Sequence, residues 1–177
     1  MKPRGPLMIE HRLIEKMLGD AKRQADIIGR QDQIDPILID TVVDFIRTYA
    51  DRAHHGKEED IMFKDLAAKS MNPADEKVMH ELVDEHIFAR KIVADLVQAK
   101  MDYIAGKRDA FKTIKEKLDT LVEFYPAHIA KENQLFFPNT EKYLSAKEQE
   151  DMLLNFQEFY SNMIHEKYKS VVTSLIR

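Results

Sequence analysis

The chain has 177 residues, no cysteine and a formal net charge of -4, which excludes disulfides and thiolate chemistry and leaves no basic footprint for nucleic acid. With 44% hydrophobic residues it can bury one full core, so a single domain over 1–177 is expected. Only 5 Gly and 6 Pro, and no alternating Val/Thr-rich runs, point to an all-α protein. No apolar stretch reaches the roughly 18 residues of a membrane span, and the basic start lacks the apolar segment of a signal peptide. The expected setting is cytoplasmic, with no membrane and no nucleic acid as partner.

A first helix is expected over 6–29, with Leu7, His11, Ile14, Leu18, Ala21, Ala25 and Ile28 three and four apart on one seam. Asp35-Pro36 supplies an N-cap followed by proline at the first helical position, where a missing N–H costs nothing. It opens a second helix over 36–70, with the seam Phe45, Thr48, Arg52, His55, Glu59, Met62 and Leu66. Asn72-Pro73 repeats the signal for a third over 73–105, carrying Met79, Leu82, His86, Ala89, Val93 and Leu96. Beyond Gly106 a fourth over 108–137 carries Phe111, Ile114, Leu118, Leu121, Tyr125, His128, Glu132 and Leu135, with a kink expected at Pro126. Ser145 and Glu148 read as a capping box for an additional C-terminal helix over 146–176, with an apolar stripe of Met152, Phe156, Phe159 and Met163. Short connections make neighbouring helices antiparallel, so residues of about 6–140 are expected to form an up-down-up-down four-helix bundle.

Each bundle seam carries one histidine, and the second and fourth add a glutamate four residues later. His11, His55, Glu59, His86, His128 and Glu132 lie nearly equally far from the connecting turns. At roughly 1.5 Å per residue the mismatches are shorter than the side chains, so all six can reach one level. The stretches "HHGKEEDIMF" (54–63) and "HIAKENQLFF" (128–137) repeat one order of residues, and the spans His11 to His55 and His86 to His128 are 44 and 42 residues. The chain reads as two copies of one helical hairpin. A single His-x-x-x-Glu means little, since His11/Glu15 and His54/Glu58 also fit it. Two buried carboxylates converging on one layer repel each other unless a cation lies between them.

Four imidazoles and two carboxylates are too many for one ion with vacant positions, and they suit two ions bridged by both carboxylates. Nitrogen with oxygen donors favours iron over manganese or zinc. The expected cofactor is a pair of iron ions, oxo- or hydroxo-bridged, each with room for O2, NO or peroxide. The ferritin-like pattern needs Glu three residues before His, which occurs nowhere here. His165-Glu166 is followed by Lys169 where a zinc protease has its second histidine.

His11, His55-x-x-x-Glu59, His86 and His128-x-x-x-Glu132 resemble the ligand set of the hemerythrin-like, or HHE cation-binding, family. The resemblance covers about 6–140 and implies a left-handed four-helix bundle with a di-iron site on those six residues. The O2-carrying members have one histidine more near the third helix, where this chain has Leu82 and Arg90 four residues either side of His86. Four His with two Glu is similar instead to the di-iron domain of iron-centre repair proteins linked to nitrosative and oxidative stress. The function implied is binding of a small diatomic or peroxide ligand, in sensing, stress response or repair, with an unidentified electron donor. The alternative is a structural metal-binding interaction module without turnover. Of the remaining residues, His54 should point about 100° away from His55 in an α-helix, to the surface or to an outer partner, and His80 to the surface. Tyr49, Tyr125 and Glu15 are candidate hydrogen-bond partners of the ligands, and His165-Glu166 sits at the edge of the last stripe.

Overall fold

The computed structural model describes residues 2–175. Five helical rods, and no strand, occur among the described residues. Ile176, the expected last residue of the final helix, lies outside them.

The first rod is α1 (Arg4–Gln31), which buries all seven residues of its expected seam. It ends where Asp32 turns left-handed at φ 54° and returns its N–H to the Ile28 carbonyl. The second rod starts as α2 (Pro36–Phe45), capped by the Asp35 side chain accepting from the Ile37 N–H. It continues through π-helical turns at Ile46–His55 and Glu58–Phe63 into α3 (Lys64–Ala67). The third rod, α4 (Pro73–Ile104), is capped by Asn72. A turn through Gly106, at φ 85°, leads into α5 (Ala110–Lys131). A π turn, Glu132–Phe136, joins α5 to α6 (Phe137–Thr140), and Pro126 stays inside α5. The last rod is α7 (Ala146–Leu175), opened by the expected box, in which Ser145 and Glu148 exchange hydrogen bonds.

α5 packs against both α1 and α4, and the second rod packs against α1 and α4, which closes the bundle. The apolar core is divided in two. One part holds Ile14, Leu18, Val42, Leu96, Leu118 and Leu121. The other holds Leu7, Leu66, Leu82, Phe136 and Phe137, with Met152 and Phe156 from α7. His11 lies between Leu7 and Ile14 in sequence, and His86 between Leu82 and Ala89, so the polar layer sits where the two parts meet. α7 lies along the π-helical part of the second rod. Gly56 allows the fit: a Cβ there would stand 2.6 Å from the Phe159 ring. No helix among the described residues is long and apolar enough to cross a membrane.

The expected seams fail only where the backbone is π-helical. In the second rod Ile46, Ala50, His54, Glu58, Met62 and Leu66, four apart throughout, form one buried row, with Ala53, His55, Lys57 and Phe63 buried beside it, while Arg52 is exposed. In an α-helix each four-residue step drifts about 40° round the axis. The wider i→i+5 turn absorbs that drift and keeps these side chains on one face. In the fourth rod the phase holds as far as Glu132. The π turn then buries Phe136 and leaves Leu135 44% exposed.

Candidate metal centre

Seven side chains converge at the junction of the two core parts, and their donor atoms form two groups. His55, His86 and His128 make one, and His11, His54, Glu58 and Glu132 the other. All seven are buried. Glu132 spans the groups, with Oε2 3.0 Å from His11 Nε2 and Oε1 3.2 Å from His128 Nε2 and 3.7 Å from His86 Nε2. Glu58 spans them as well, with Oε1 3.5 Å from His54 Nε2 and Oε2 3.6 Å from His86 Nε2. None of these pairs has hydrogen-bond geometry, so five Nε2 atoms and four carboxylate oxygens are buried without a partner.

The outward side of every imidazole is satisfied. His11 Nδ1 lies 3.0 Å from Asn133 Oδ1, His54 Nδ1 2.9 Å from Glu10, and His55 Nδ1 3.3 Å from Asp51. His86 Nδ1 and His128 Nδ1 are each 2.7 Å from a carboxylate, Glu59 and Glu85 respectively. These oxygens only accept, so each Nδ1 carries a proton and Nε2 is the nitrogen left to offer a lone pair inward once it is unprotonated. That is the form in which histidine binds a metal.

The outer partners expose a pseudo-twofold relation between the hairpins. Glu10 and Glu85 each precede the histidine of the first helix of a hairpin, and each accepts from the histidine of the second helix. Lys57 and Lys131, three residues beyond His54 and His128, pair with those same glutamates. Glu59 and Asn133, one beyond Glu58 and Glu132, accept from the first-helix histidine of the opposite hairpin. His54 therefore corresponds to His128, and Glu58 to Glu132. His55 is an additional histidine where the second hairpin has Ile129.

A family model for the hemerythrin HHE cation-binding domain matches residues 6–140. The chain belongs to that family. No curated protein and no solved structure gives a significant match.

In this HHE domain the donor atoms of His11, His55, His86, His128 and Glu132 face the centre. Glu59 does not: it is a quarter exposed and holds His86 from outside, together with Arg90. Glu58 faces the centre in its stead. His54, expected at the surface or outside the ligands, is buried and joins the same cluster. Both differences follow from the π turns, which bring 54 and 58 onto the inner face beside 55. The signal was present in the sequence, since setting "HHGKEE" over "HIAKEN" pairs His54 with His128 and Glu58 with Glu132. Glu15, His80 and His165 are exposed, and Glu166 pairs with Arg52 at the surface. Tyr49 is half-buried. Tyr125 stacks at 6.4 Å between ring centroids on His55, yet its hydroxyl bonds to nothing.

The electrostatics of the layer are those of a site built around positive charge. Burial pushes Glu58 well above the usual carboxylate range, and the charge of Glu132 adds to this. Burial would raise Glu132 as well, but the charge of His128 together with the donors of His11, His128 and His86 outweighs it and holds that carboxyl well below the usual range. His54 is pushed down to about 4 by burial, and His55 falls for the same reason with repulsion from His86 added. His128 is the exception: burial lowers it, but Glu132 and Glu85 together carry it up to about 9. Nitrogen and oxygen donors, two buried carboxylates and nine inward atoms without partners together fit a divalent or trivalent cation.

Proposed function

We propose that the domain is a non-haem di-iron protein that binds a small diatomic or peroxide ligand. His55, His86 and His128 would hold one ion and His11 and His54 the other, with Glu58 and Glu132 shared between them. The observation that carries this reading is the convergence of seven buried nitrogen- and oxygen-donor side chains with no other partner for their inward atoms. Two ions suit the set better than one, because each carboxylate turns one oxygen to each histidine group.

When bound, such a pair of ions supplies redox change and an open position for an exogenous ligand. The chain's own contribution is orientation. Glu10, Asp51, Glu59, Glu85 and Asn133 fix the Nδ1 protons and the ring planes, and contacts of this kind are worth about 10–100-fold in metal affinity. Arg90, Lys57 and Lys131 offset the negative charge of four of those partners.

The donors are unequal, and this supports ligand binding over a purely structural role. Counting shared carboxylate oxygens, the three-histidine group offers five donor atoms and the two-histidine group four. A closed structural site fills every position with protein. The expectation of iron-centre repair rested on four imidazoles, and with five in the cluster we put the weight on sensing or detoxifying a small ligand in a cytoplasmic setting. Residues 6–140 would form the working bundle and α7 its cover, within one domain. Protein loaded with ferrous iron in the absence of air, then titrated with NO, should change its visible spectrum. Iron uptake with no spectral response to NO, azide or peroxide would leave only the structural role.

A further inference from the structure

His55 breaks the pseudo-twofold relation between the hairpins, and so do the groups outside it. Asp51, which accepts from His55, stands where the second hairpin has Tyr125. Arg90 stands where the first hairpin has Glu15, an exposed residue, and Glu59 where the second has the neutral amide of Asn133. The additional imidazole therefore comes with an acceptor and a cation of its own.

Arg90 ties these groups together. Its Nε donates at 2.8 Å to Asp51 Oδ1, the oxygen that lies 3.3 Å from His55 Nδ1. Its Nη2 donates at 2.7 Å to Glu59 Oε1, the oxygen that lies 2.7 Å from His86 Nδ1. In each case one oxygen stands between the guanidinium and an imidazole. Guanidinium donors form a rigid planar fork, so placing one carboxylate places the other. The two rings held in this way are nearly parallel, 10° apart with centroids at 3.8 Å, and both belong to the three-histidine group. His128, the third member, is held separately by Glu85 and Lys131. Among the described residues no other lysine or arginine pairs with Asp51 or Glu59.

We propose that Arg90 is a positioning residue for one half of the centre. Through Asp51 and Glu59 it fixes the planes of His55 and His86, and so governs the ion those rings share with His128 while leaving the His11–His54 ion alone. The choice between ions rests on the two-ion reading, but the fixing of the rings depends only on the protein. The Arg90 side chain is 38% exposed, so replacing it opens no hole in the core.

The first readout is the ring N–H signals of metal-free protein, followed by NMR with isotope-labelled histidine. Arg90→Gln should move the Nδ1 signals of His55 and His86 and leave those of His11, His54 and His128 in place. Arg90→Lys keeps the charge but loses the fork, and should restore at most one of the two. Arg52→Gln, which removes only the surface pair with Glu166, should move none. The second readout is release of iron to a chelator from protein loaded with ferrous iron. Arg90→Gln should lose one ion about tenfold faster than wild type and the other at the wild-type rate. Five signals unmoved in Arg90→Gln, five moved alike, or iron release unchanged or quickened equally for both ions would overturn the proposal. Signals moved as expected in a protein that takes up no iron would leave the positioning role standing and defeat the di-iron reading alone.

Discussion

Glu58, on the second rod, and Glu132, on the fourth, approach the same atom, Nε2 of His86, at 3.6 and 3.7 Å. Two wholly buried carboxylates meeting at one imidazole divide the roles of neighbouring residues, because Glu59, one residue from Glu58, reaches only the Nδ1 side of that ring. Glu58→Gln removes a shared donor and is expected to reduce bound iron to less than one ion per chain. Glu59→Gln removes an outer acceptor and is expected to keep the metal with affinity lowered about 10–100-fold. Metal analysis of the two variants after matched dialysis separates them, and equal losses would show that the two glutamates are not divided in this way.

Without metal, the buried histidines set a stability optimum. His54 falls from 6.5 to about 4, so between those values the unfolded chain holds a proton that the folded chain lacks, and stability drops as the pH falls. His55 acts in the same direction. Glu58, raised by burial, opposes them above its ordinary value of 4.5 but is one group against two. His128 is raised to about 9, so its contribution is complete below 6.5 and is lost as the pH rises through 9. Glu58 adds to that alkaline loss. Denaturant midpoints of the metal-free protein should peak near pH 6.5, and a level profile from 4 to 9 would contradict the burial of these groups.

Lys57 and Glu10 form a nearly buried ion pair under Phe156 and Tyr160 of α7, with His54 on the other carboxylate oxygen. Glu10→Leu would leave the Lys57 ammonium uncompensated, at a cost of about 3–5 kcal/mol. Lys57→Met with Glu10→Gln removes both charges and should recover most of that loss. Chemical denaturation of the single and double variants measures the difference.

Gly56 gives Phe159 its seat, so Gly56→Val should lift α7 locally and cost about 1–3 kcal/mol. Phe159→Ala in the same chain should return part of it, since the clash is with the ring. If the double variant is merely the sum of two losses, α7 does not dock through this notch.

The bundle was legible in the sequence wherever the helix is α: the seams of α1 and α4, the Asp35 and Asn72 caps and the Ser145 box all stand as spacing and chemistry require. Five of the six expected centre residues also face inward. Glu59 lies outside the inner cluster and His54 within it because a 3.6-residue period does not hold through a stretch where the backbone hydrogen bonds run i→i+5. Periodicity cannot register such a turn, but the second copy of the motif could, since Lys131-Glu132 has its counterpart in Lys57-Glu58. The outer partners were missed for another reason. Glu10 and Glu85 act across helices, on residues 44 and 43 positions away, and no local spacing encodes such a contact.

The most direct test of the account is the metal content of protein purified from iron-supplied cells, measured for wild type and for His54→Ala. About two iron ions per chain in wild type, falling to about one in His54→Ala, is the result the two-group arrangement of donors predicts. One ion or none in wild type, or two ions undiminished in His54→Ala, would contradict it.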